Sequence, residues 1–176
     1  MKEKFDNIKT ELLRFTELEV EKFLLHNSNK TYYAFAYDCN AEYAEVNLCF
    51  STEEEFKKTL NHYQNGEYSQ YYQIKEDILD LKYNTGDWEY QCFASMNVFS
   101  ENELTEIFQK LPDDDHKSWH SFTEQLMQLF TLTLFEFSET KTFDKISKTN
   151  DFKFFCIDHD EDFEDVENRL MKIKSS

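Results

Sequence analysis

The stretch TYYAFAYDCNAEYAEVNLCF, residues 31–50, decides the fold. It is dense in aromatic residues and its side chains alternate, which suits a pleated strand whose neighbours point to opposite faces. Alternation places Tyr33, Phe35 and Tyr37 on one face and Tyr32, Ala34 and Ala36 on the other. In the second run Ala44, Val46, Leu48 and Phe50 form an apolar set opposed to a mixed set of Tyr43, Glu45, Asn47 and Cys49. That is the pattern of a sheet with one face against a core. The connection at residues 38–42, DCNAE, is short and carries Asp and Asn, so the two runs read as an antiparallel hairpin. A lone hairpin is marginal in water, so the rest of the chain must supply further strands and helices to cover it.

The totals agree with such a covered sheet. A chain of 176 residues fits one domain, 1–176, and a chain of that size buries about 70% of its unfolded surface. Its 18 Phe and 10 Tyr give ample apolar area, which argues against disorder despite a net charge of −17. With only two Gly and one Pro, a many-stranded sandwich or a Gly-rich phosphate-binding fold is disfavoured, and long helices joined by polar links are favoured. The fold class that follows is α+β, a single domain whose mostly antiparallel sheet includes the 31–50 hairpin under several amphipathic helices.

Charge and cysteine usage narrow the setting. A strongly acidic chain opposes binding to nucleic acid or to an anionic membrane, because phosphate contacts need Lys and Arg, and it favours a basic partner. No apolar run approaches the roughly 20 residues of a membrane span. Cys39, Cys49, Cys92 and Cys156 lie far apart with no C-x-x-C pair. The opening MKEKFDNIKTELL has no signal-peptide apolar segment. A reducing cytoplasm with unpaired, structural thiols is expected.

Taken in order, residues 2–26 read as an amphipathic helix, with Phe5, Ile8, Leu12, Phe15 and Leu18 at spacings of three and four. Ser51 with Glu54 matches a capping box before a helix that ends near Gly66, and a second helix is expected around Tyr71 to Leu81. Tyr68, Tyr71 and Tyr72 form a tyrosine cluster. Residues 87–93, DWEYQCF, read as a third strand. Ser100 with Glu103 is another capping box, before a helix that Pro112 ends, and the acidic turn Asp113, Asp114 and Asp115 follows. Trp119, Phe122, Leu126, Leu129, Phe130, Leu134 and Phe137 mark the longest apolar helix, with a third box at Ser121 and Glu124. Residues 143–150 read as a polar link, 151–157 as the last strand, and Phe163, Val166, Leu170 and Ile173 as a closing helix.

Motifs for chemistry are scarce. Asp158, Asp160 and Asp162 repeat the first, third and fifth ligands of an EF-hand loop, but Phe163 stands where the turn needs Gly and Arg169 where a bidentate Glu is needed. Carboxylates crowding a helix N-terminus are the simpler account. His116 and His120 have i, i+4 spacing near Asp113 to Asp115, yet no H-E-x-x-H or cysteine cluster supports zinc. No P-loop, G-x-G-x-x-G or G-x-S-x-G is present. No catalytic residue, cofactor or metal is expected.

Three short stretches carry a resemblance. Tyr33-Ala34-Phe35-Ala36-Tyr37 after the first helix, then Asp87-Trp88-Glu89-Tyr90, then a final strand running into Asp158-His159-Asp160-Glu161-Asp162, resemble a family of small bacterial domains of unknown biochemistry. That family is often grouped with the immunity proteins of bacterial polymorphic-toxin systems. The resemblance implies an α+β fold without known catalytic residues, and it offers Asp87, Trp88, Glu89, Asp158, Asp160, Glu161 and Asp162 as candidate contact positions. Trp88 serves equally as a core anchor. Thr85-Gly86 stands where relatives are expected to carry a basic residue. The implied function is a cytoplasmic, non-enzymatic immunity protein, a monomer or weak homodimer, that occludes the active surface of a cognate toxin with a basic surface. The alternatives are a small metal-dependent hydrolase using His116 and His120, and an adaptor that dimerises through its tyrosines.

Overall fold

The computed structural model describes residues 2–66, 69–112, 115–159 and 161–174. Helix α1 (Lys2–His26) leads into β1 (Tyr32–Asn40), a 3-10 turn at Ala41–Tyr43 and β2 (Glu45–Thr52). Helices α2 (Glu53–Asn65) and α3 (Lys75–Tyr83) follow, then a second 3-10 turn at Thr85–Asp87 and β3 (Tyr90–Asn97). Then come α4 (Glu101–Lys110), α5 (Asp115–Ser138) and the short α6 (Lys141–Asp144). Strand β4 (Lys148–Asp158) and α7 (Phe163–Lys174) close the order. The strands form one mixed sheet in the order β3-β2-β1-β4, antiparallel except where β1 pairs parallel with β4. The α+β class and the 31–50 hairpin are therefore present as expected.

Strand β1 is central, and eight of its nine residues are buried. That overturns the expectation of a sheet covered on one face only. One face packs Tyr32, Phe35, Tyr37, Val46, Leu48 and Phe50 against Ile8, Leu12 and Val20 of α1 and Leu126, Phe130, Leu134 and Phe137 of α5. The other packs Tyr33, Ala34, Ala36 and Cys49 under Phe56 of α2, Leu81 and Tyr83 of α3, Trp88, and Val166 of α7. The second layer needs close approach, and the two alanines of β1 provide it. Burial of so many large rings is the main favourable term, each worth about 1.5–3 kcal/mol.

The strict alternation read from the sequence breaks at Tyr33. Pairing with β2 runs Tyr32↔Thr52 and then Ala34↔Ser51, so Tyr33 is one extra residue on β1. Such a bulge shifts the phase of the pleat. Tyr32 thereby joins Phe35 and Tyr37, while Tyr33 turns to the opposite layer and donates its hydroxyl to Lys82 O at 2.6 Å. The set Ala44, Val46, Leu48 and Phe50 stays together as expected.

Helix starts follow local hydrogen bonding. Ser100 and Glu103 make the full reciprocal box at α4. The expected box at Ser51 moves one residue, because Ser51 is held in β2 and Thr52 caps α2 by accepting from Glu55 N at 3.3 Å. Ser121 caps nothing, since it lies inside α5. Helix α3 begins at Lys75 rather than Tyr71, and β3 begins at Tyr90 because residues 85–87 coil into the 3-10 turn. The 143–150 link contains the end of α6 and the start of β4. All four cysteines are free, with Cys39, Cys49 and Cys156 buried and Cys92 exposed. No helix among the described residues is long and apolar enough to cross a membrane.

Candidate functional site

Parallel pairing makes β1 and β4 end side by side, and their carboxyl ends carry Asp38 and Asp158. Asp158 Oδ1 accepts from the amides of Ala41 at 3.1 Å and His159 at 2.9 Å, which fixes the carboxylate against the first 3-10 turn. Its own amide donates to Glu161 Oε2 at 2.9 Å. Glu161 in turn receives both Nη atoms of Arg169, with Nη1 to Oε1 at 2.8 Å, and Nη2 also reaches Cys156 O at 3.3 Å. This bidentate pair ties α7 back onto the strand it follows. Burial raises the Asp158 carboxyl above its ordinary range, while the two amide donors pull it down.

Asp38 lies on the other face of the strand end and is 8% exposed. Thr85 Oγ1 donates to its Oδ2 at 3.0 Å, so the second 3-10 turn is pinned to β1. Burial raises this carboxyl too, Thr85 and the charge of His159 oppose the rise, and the charge of Asp158 adds to it. Asp87, at the end of the same turn, accepts from Tyr63 Oη at 2.7 Å and Asn84 Nδ2 at 2.8 Å. Asp87 and Glu89 border a shallow depression with Lys58, His62 and Tyr63.

Thr85 and Asp38 tie the turn before Asp87 to the end of β1, beside Asp158, but the 87–89 stretch leads away into β3, at the opposite edge of the sheet from β4, and lies against α2. Asp87, Glu89, Glu161 and Asp162 keep solvent access. Trp88 does not. It is 5% exposed, its ring meets those of Tyr33 and Phe155 edge-on at 6.0 and 5.8 Å, and its Nε1 donates to Lys82 O at 3.0 Å. Its place is in the core, the anchor role that its type also allowed. Asp160 lies outside the described residues, as do Tyr68, Asp113 and Asp114.

A model of the domain of unknown function DUF4303 matches residues 12–172. The chain belongs to that family. No curated protein and no solved structure matches it. The matched span of this DUF4303 domain includes every strand and the strand ends described above.

Sequence reasoning missed Asp38, Thr85 and Arg169 in this DUF4303 site. In sequence Asp38 reads as part of the hairpin connection, and the available signal is a carboxylate at the end of an otherwise apolar run. Arg169 was noted only as a mismatch to a calcium loop. Of the histidines proposed for a metal, His120 is 74% exposed at its side chain and stands 3.6 Å from Glu124. Among the described residues no three His, Cys, Asp or Glu side chains converge to hold a metal ion. The site's parts are carboxylates held by amides, hydroxyls and one guanidinium, an arrangement suited to presenting negative charge on a rigid edge.

Proposed function

We propose that this DUF4303 protein is a non-enzymatic binding protein that neutralises a cognate bacterial toxin by occluding its active surface. The observation that carries the reading is the acidic strand end: Asp158 and Glu161 are held in place, with Asp162 following, where β4 ends beside β1, on a chain of net charge −17. Carboxylates positioned in advance steer a basic partner and suppress wrong ones. Resemblance to families grouped with toxin immunity supplies the class of partner. Its active surface would be basic, as in enzymes that handle nucleic acid or anionic substrates.

The test is a growth assay in a bacterial host, expressing the toxin candidate encoded beside this chain with and without it. Rescue of growth, together with a stable complex of the two purified proteins, is the expected result. A neighbour that kills equally in both cases would sink the pairing.

A further inference from the structure

Helices α5 and α7 enclose a groove of ≈ 930 Å³ beside the end of β4. Glu124 from α5, Asp158 and Glu161 from the strand end, and Asp165 from α7 line it. Arg169 is already engaged by Glu161, so among the described residues the lining keeps an excess of negative charge. Met171 and Ile173 add apolar surface to the same walls. Arg169 also holds its buried Nε without an acceptor among the described residues.

We propose that this groove is the docking site for a basic, amphipathic segment of the partner protein, an inference that rests on the binding role proposed above. Lys or Arg heads pair with the carboxylates, and their aliphatic stems lie on the Met171 thioether and Ile173. The size decides between a segment and an ion. A groove near the top of the about 300–1,000 Å³ range of ligand sites accommodates several residues, far more than one cation fills.

The probe is a short fluorescent peptide with Lys and Leu at helical spacing, titrated against the full chain beside a Glu and Leu counterpart. Saturable binding of the basic peptide alone is expected, with slower amide exchange in α5 and α7. The double variant Glu124→Lys with Gln128→Lys, both exposed on α5 and both lining the groove, is expected to weaken binding about tenfold or more. Glu106→Lys with Gln109→Lys on α4 makes the same charge change outside the groove and is expected to cost about twofold or less, as a screened surface effect. Equal loss in the two variants, or binding of both peptides alike, overturns the docking site. In the growth assay, a groove variant that rescues as well as the parent also overturns it and leaves neutralisation standing. A parent that never rescues overturns neutralisation, and the peptide titration still decides the groove.

Discussion

Trp88 and Glu89 are neighbours with opposite fates. Replacing Trp88 by Ala empties a packed site among Tyr33 and Phe155 and removes one of the two donors to the Lys82 carbonyl, leaving Tyr33; the expected loss is about 3–5 kcal/mol in urea unfolding. Glu89→Ala is expected to stay within about 0.5 kcal/mol, since the side chain is exposed. A similar loss for the two would refute the core assignment. Asp38 offers a test by pH. Its folded carboxyl titrates above the unfolded one because it is buried. Stability from this group is therefore full below the ordinary Asp value of about 3.9 and is lost as pH rises through the folded value. Asp38→Asn keeps an oxygen for Thr85 and removes that loss. The variant is expected to gain on the parent as pH rises from about 4 to 7, and a gap that stays constant with pH contradicts the assignment.

At the scale of elements, hydrogen bonds that close within a few residues were legible and phase across a bulge was not. The Ser100 and Glu103 box appears as its spacing implies. No residue of α4 is fully buried, and Leu104 and Ile107 pack only in part against the core, so its cap contributes alongside that packing. Ser100→Ala is expected to cost about 1 kcal/mol and to speed amide exchange through α4 while α5 stays protected. Unchanged exchange in α4 would show the cap to be idle. Ser51 fits the box pattern equally well, yet β2 claims it, because pairing with β1 extends to Thr52. A capping motif says where a helix can start, and the neighbouring strand decides where it does. Tyr33 shows the same limit, since one bulged residue sends a ring to the opposite layer.

For the whole molecule, charge governs encounter. With a net charge of −17, association with the proposed basic partner is expected to slow about tenfold or more between low salt and ~0.5 M, while dissociation changes less. Stopped-flow mixing over a salt series reads both rates. An on-rate indifferent to salt would remove the electrostatic part of the proposal.

The sequence by itself determined the helix and strand content, the hairpin, the aromatic core and the acidic character, because these depend on composition and on periodicities of two and 3.6 residues. It also pointed to both acidic stretches that flank the candidate site. Only the tertiary structure decided that β4 lies parallel beside β1, that both faces of β1 are covered, that Thr85 reaches Asp38, and that Glu161 links Asp158 to Arg169. Those residues come from four separate stretches of chain. Their proximity is set by strand order and by which layer covers each face, and no local pattern encodes either.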